Sequence, residues 1–221
     1  MPLMQDDRID WIIQQAGGVE GLDVLELGPL EAAHTYMLQQ AGASVTAIES
    51  NTHAYLRCLI VKELLNFRSA SFMLGDFVPY MESTEKRFDL VLASGVLYHA
   101  PDPLRMLTAL ARVTDRVGIW THFYDPPLME ATAVEVIRFF PEVDTAEVGG
   151  RTVKLHRRNY FELRDNEGFC GGPEPTAVWL ELDDLLHVLG TLGFTRTVIG
   201  ENDLQHAAAP AVLLYAERPQ T

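Results

Sequence analysis

Two hydrophobic rhythms alternate along the chain. Short, nearly continuous apolar runs (Val24 to Leu30 around Glu26, Ser44 to Glu49, Ala70 to Leu74, Arg87 to Ser94 and Arg116 to Phe123) suit strands buried on both faces of a parallel sheet. Between them, Glu31 to Gln40, residues 52 to 67 and Leu104 to Val113 carry apolar groups at helical spacing. In the second of these, the stripe Tyr55, Leu56, Leu59, Ile60, Leu64 and Leu65 is expected to be core. Ahead of the first strand, Asp6 and Asp7 can cap a helix whose face is Ile9, Trp11, Ile12 and Ile13, ended by Gly17 and Gly18 and expected to cover the sheet. Strands alternating with helices through short links predict an α/β fold with a doubly wound sheet.

The alternation stops at Asp125 and resumes after Thr176, an interval of about 50 residues where an ordinary link takes ~2–6. Inside it, Leu128 to Phe140 has the pattern of an amphipathic helix. Gly149 and Gly150 can turn a hairpin between Asp144 to Val148 and Arg151 to Leu155. Trp179 to Leu192 reads as a helix ended by Gly193, and Phe194 to Ile199 with Ala211 to Glu217 as a closing pair of strands. The expectation is one domain over residues 1–221: seven strands, the last antiparallel, with a substrate-side insertion over 125–178 after strand five.

Charge narrows the partners. With 31 acidic against 17 basic residues the net charge is -14, which disfavours a general affinity for nucleic acid and favours a small-molecule substrate. Cys58 and Cys170 form neither a disulfide framework nor a metal spacing, and no metal is expected. No apolar stretch reaches the length of a membrane span and no signal core opens the chain, so a cytoplasmic protein without a membrane partner is expected. The oligomeric state is left open.

Chemistry concentrates where the strands end. Gly28 ends the first strand, where a glycine lets a ligand approach the main chain. A dinucleotide fingerprint would need glycine at 30 and 33, where the chain has Leu30 and Ala33. Pro29 lacks an N–H, and Glu26 and Glu31 would repel a pyrophosphate, so a nicotinamide enzyme is disfavoured. The same acids suit a cation such as S-adenosylmethionine, with its ammonium and sulfonium, although they equally suit a solvated helix start. Glu49 ends the second strand about 20 residues on, where a carboxylate can hold both hydroxyls of a ribose. Asp76 and Phe77 follow the third strand and offer an acceptor and a ring face for adenine.

Glu26-Leu27-Gly28, Glu49, Gly75-Asp76-Phe77 and Phe88 to Ser94 fall in the order and spacing of the class I S-adenosylmethionine-dependent methyltransferases, which the chain resembles from about residue 20 to 124. The resemblance implies a Rossmann-like fold and S-adenosyl-L-methionine as cofactor. It implies that Glu26 and Gly28 frame the methionine end, Glu49 holds the ribose, Asp76 and Phe77 hold adenine, and Ser94 and Gly95 floor the methyl group. The sequence departs from the family at Leu30 and Ala32, where glycines are commoner. Gly95 to His99 also resembles the loop of tRNA wobble-uridine carboxymethyltransferases, a loop shared by members with small substrates.

Such an enzyme needs chiefly to align the acceptor with the methyl group and exclude water. A hydroxyl acceptor would need a base, and His99 and His122, after strands four and five, are the candidates. Tyr98, Tyr124 and Asp125 are candidate substrate contacts. Arg157 and Arg158, in a basic run with Arg151, Lys154 and Arg164, suit an anionic or sugar-type acceptor, or else pair with surface acids. Alternatives are a tRNA or RNA methyltransferase and a non-catalytic S-adenosylmethionine-binding protein.

Overall fold

The structure is a computed structural model that describes residues 4–131, 138–161 and 174–219. Its main sheet has seven strands: β1 (Asp23–Leu27), β2 (Ser44–Glu49), β3 (Ala70–Leu74), β4 (Leu90–Ser94), β5 (Arg116–His122), β9 (Arg196–Asp203) and β10 (Ala211–Glu217). They lie in the order β3-β2-β1-β4-β5-β10-β9. The first five are parallel, and β10 runs antiparallel to both β5 and β9. The last strand is therefore reversed, as expected, but lies inside the sheet with β9 at the edge.

Strand alternation divides the buried side chains between two faces. Leu25 and Leu27 of β1 join the core that packs under α5 (Pro103–Val113) and α7 (Leu182–Thr191). Val24 points the other way, into the core under α1 (Asp7–Gln15) and α2 (Ala33–Gln40). Glu26, two residues on from Val24, shares that face, and meets Thr35 of α2 there. Helix α1 covers the sheet as expected because two glycines admit it. A Cβ on Gly118 of β5 would lie 2.6 Å from Ile12, and one on Gly200 of β9 would lie 2.6 Å from Trp11.

Helix α3 (Thr52–Leu64) corrects one expectation. Its packed face is Ala54, Cys58 and Val61, while Leu56, Leu59, Ile60, Leu64 and the following Leu65 are exposed, Leu64 by 76%. Both faces of this helix are apolar, and the smaller side chains allow the close approach to the sheet.

The interval after β5 holds α6 (Pro126–Ala131) and a second, three-stranded antiparallel sheet of β6 (Glu142–Val148), β7 (Arg151–Asn159) and β8 (Thr176–Leu180). The hairpin at Gly149 and Gly150 is as read from the sequence. The third strand corrects another reading. Trp179 and Leu180 are not helical but pair with His156 and Leu155, and the helix begins at Leu182. Glu181 at its start sends its carboxylate to Lys154 and His156 instead of capping. The middle of the expected 128–140 helix, together with Arg164 and Cys170, lies outside the described residues. Strand β8 ties this small sheet to the main one: Val178 N–H donates to the Ala100 carbonyl, Trp179 Nε1–H to the Tyr98 carbonyl, and Tyr124 N–H to the Leu180 carbonyl.

Candidate active site

Sheet order reverses between β1 and β4, and ligands of open α/β sheets bind at the carboxyl ends of the strands beside such a reversal. Gly28, Gly75 and Gly95 each extend the parallel pairing one residue past their strands, donating to Ile48, Glu49 and Trp120 carbonyls. Above them opens a crevice of about 710 Å³, within the range of small-molecule sites.

The turn after β1 keeps the shape of a glycine loop without its glycines. Gly28 has φ 64°, and Leu30 and Ala32, the two departures from the family pattern, also lie in the left-handed region at 54° and 62°. Each non-glycine residue there carries roughly 1–2 kcal/mol of steric cost. Glu49 offsets part of it by fixing the turn: one carboxylate oxygen accepts Leu30 N–H at 3.0 Å and the other Asn51 N–H at 2.8 Å. Beside it, Asp76 caps α4 (Phe77–Ser83) with one oxygen on Val78 N–H at 2.8 Å.

Of the residues singled out in the sequence, Gly28, Glu49, Asp76, Phe77, Ser94, Gly95, Tyr98 and His99 all line this crevice. Glu26 does not. It is buried behind the turn, 1% exposed, with Thr35 Oγ1 donating to one oxygen at 2.5 Å and the other, Oε1, lacking a partner among the described residues. Burial raises its pKa, against a lowering by His34 and the Thr35 hydrogen bond.

His99 stands at the end of the crevice in a 3₁₀ turn, Leu97–His99, with Nδ1 2.6 Å from Tyr160 Oη. Burial, with the nearby Arg158 cation and His122, lowers its pKa to about 4, so the imidazole is neutral at pH 7. His122 is placed differently. Its Nδ1 lies 3.1 Å and 3.2 Å from the Ala209 and Pro210 carbonyls and its ring stacks on Trp179, outside the crevice lining. Tyr124 and Asp125 are also elsewhere: Tyr124 stacks on His156 at 3.6 Å, and Asp125 accepts Leu128 N–H at the start of α6. Arg157 pairs with Asp144 and Glu142 of its own hairpin. Arg158 instead lies over the Trp179 and Tyr160 rings, half-buried.

One wall comes from the start of the helix expected to cover the sheet. The segment Met4 to Arg8 lines the crevice, where Asp6 receives Arg8 and lies 3.0 Å from His34. Burial would raise the Asp6 pKa, but those two partners outweigh it and hold the carboxyl well below its usual range. Arg8 lies over Trp120, another crevice residue, at 4.5 Å. Trp120 at the carboxyl end of β5 was detectable from its strand position, whereas the Asp6–His34 contact joins distant segments and left no local signal.

Comparison with known proteins agrees with this geometry. Residues 25–121 match the methyltransferase domain family. The tRNA U34 carboxymethyltransferase of Campylobacter curvus is 29% identical over 82% of this chain and 63% of its own length. The ubiquinone biosynthesis O-methyltransferase of Bordetella avium is 30% identical over 52% of this chain and 47% of its own. The chain thus spans less than two thirds of the length of the curated relatives it matches. Among solved structures, the N-terminal domain of EvdMO1, determined with SAH and D-fucose, superposes with a TM-score of 0.70 at 23% identity, over 97% of this chain and 84% of that one. The magnesium protoporphyrin IX methyltransferase of Synechocystis, determined with SAH, gives 0.63 at 19% identity, over 97% and 81%. Residues 25–121 thus match a methyltransferase domain and lie on a Rossmann-like sheet order, which supports a class I S-adenosylmethionine-dependent methyltransferase.

Proposed function

We propose that this protein transfers a methyl group from S-adenosylmethionine to a small metabolite or sugar-type acceptor. One observation carries the reading: the strand-end acids Glu49 and Asp76 share a single crevice with Tyr98 and His99. The first pair suits a nucleoside, and the second stands where an acceptor would meet its methyl end. The donors fit the cofactor. Glu49 and Asp76 are acceptors for ribose and adenine, Phe77 offers a ring face, and Glu26 Oε1, unpartnered among the described residues, leaves an acceptor behind the turn that would face the ammonium.

When bound, the cofactor supplies an electrophilic methyl group on its sulfonium. The protein's part is alignment and proton removal. Aromatic rings at Tyr98 and Trp120 exclude water from that end. The contact of His99 Nδ1 with Tyr160 Oη at 2.6 Å orients the imidazole, and a hydroxyl acceptor that reached this neutral ring would lose its proton to it. His122, with Nδ1 on two carbonyls, serves to buttress Tyr98 at 4.6 Å between ring centroids.

A second reading, an RNA acceptor, is favoured by the Campylobacter relative, whose similarity extends over 82% of this chain. Against it stand the net charge of -14 and the pairing of Arg151, Lys154 and Arg157 with Asp184, Glu181, Glu142 and Asp144. Isothermal titration with S-adenosylmethionine, followed by mass spectrometry of a metabolite extract and of bulk tRNA incubated with protein and cofactor, tests both. A new methyl group on a small molecule is expected. Methyl gain confined to tRNA would replace this reading with the second, and absence of cofactor binding would sink both.

A further inference from the structure

Among the described members of the basic run, Arg158 is the exception. Arg151, Lys154 and Arg157 have carboxylate partners, whereas the Arg158 side chain has no hydrogen bond and no ion pair among the described residues. It is nevertheless half-buried, with Nε fully buried and unpartnered, and burial lowers its pKa. A buried charge with its donors unmet is costly, and such a group usually awaits a partner.

Geometry indicates what that partner is. The guanidinium carbon lies 4.7 Å from the Trp179 ring centroid and 5.4 Å from that of Tyr160. Ring stacking uses the faces of the guanidinium plane, while all five N–H donors lie in the plane, so the stack fixes the fork without spending it. Tyr160 Oη is 2.6 Å from His99 Nδ1, which puts this fork beside the acceptor end of the crevice. Arg157, its neighbour, is engaged elsewhere. One planar cation matches one planar anion, a carboxylate, better than a phosphate dianion.

We propose that Arg158, held over Trp179 and Tyr160, is a specificity residue that grips the carboxylate of a singly charged acceptor delivered to His99. This rests on the methyl-transfer reading and narrows its substrate class.

Benzoate, benzamide and inorganic phosphate are suitable probes, read by the Trp179 indole N–H resonance in the full-length protein. That proton is donated to the Tyr98 carbonyl at 2.9 Å, and so reports on this end of the crevice. Benzoate should shift it, with benzamide and phosphate roughly 10-fold or more weaker. Arg158→Met keeps the stacked stem and should lose the benzoate response, Arg158→Lys should retain only part of it, and Arg157→Met should leave it intact. Equal responses to benzoate and benzamide, a stronger response to phosphate, or an unchanged response in a folded Arg158→Met would overturn the proposal. If Arg158→Met fails to fold, the lysine variant and the benzamide comparison decide. Titration of the same wild-type sample with S-adenosylmethionine separates the two levels. Cofactor binding without a benzoate response removes this site alone, and the reverse removes the methyl-transfer reading alone.

Discussion

Replacing Gly28 by alanine asks two things of the turn that carries the cofactor seat. The residue sits at φ 64°, where an L side chain costs roughly 1–2 kcal/mol, partly offset by roughly 0.4–1 kcal/mol of lost freedom in the unfolded chain. The new methyl would also lie 2.6 Å from Val96 Cγ1, too close for either group to stay in place, and overpacking of this kind costs about 1–3 kcal/mol. Together these predict a loss of about 1–5 kcal/mol, or roughly 2–20 °C in melting temperature for a chain of this size. Val96→Ala removes the obstructing methyl at its own cost of about 1–3 kcal/mol, since Val96 is buried. The double variant should therefore be more stable than the sum of the singles by about 1–3 kcal/mol, the overpacking share. Thermal denaturation of the four proteins without cofactor measures this coupling. An additive cycle, or a Gly28→Ala protein that melts with the wild type, would refute the packing argument.

Glu26→Gln should move two quantities in opposite directions. Burial raises the Glu26 pKa above 4.5, so the folded chain holds a proton that the unfolded chain releases, and wild-type stability falls as pH rises above that value. The variant should lose this slope and melt higher at pH 8 without cofactor, yet bind S-adenosylmethionine more weakly. Unchanged cofactor affinity would reduce Glu26 to a packing partner of Thr35. On the acid side, His99, His122 and His156 all have lowered pKa values through burial. The unfolded chain takes up their protons near pH 6.5 while the folded chain refuses them, so stability is full above 6.5 and drains as pH falls toward about 4, the His99 value. His99 alone is worth up to roughly 3 kcal/mol by linkage, and His99→Gln should flatten that part of a melting-temperature profile between pH 4 and 7. A variant profile parallel to the wild type would contradict the burial of a neutral imidazole.

Sequence by itself determined the parallel half of this protein. Five apolar runs of strand length, three of them followed by helical spacing, leave few arrangements other than a doubly wound sheet, and residues at strand ends must then gather on one edge. That is why Gly28, Glu49, Asp76, Phe77, Ser94, Gly95, Tyr98 and His99 were legible as neighbours before any coordinates. Tertiary structure decided what periodicity leaves ambiguous. Helix α3 is apolar on two sides, and only contact with the sheet chose Ala54, Cys58 and Val61 over the leucine stripe. Trp179 and Leu180 fit a helix or a strand, and pairing with β7 made them a strand. The same holds for charge. Arg157 and Arg158 are adjacent and chemically identical, but strand alternation turns one toward Asp144 and the other onto two aromatic rings. Composition counts such cations alike, whereas only the folded chain distinguishes a neutralised arginine from one whose donors are still open.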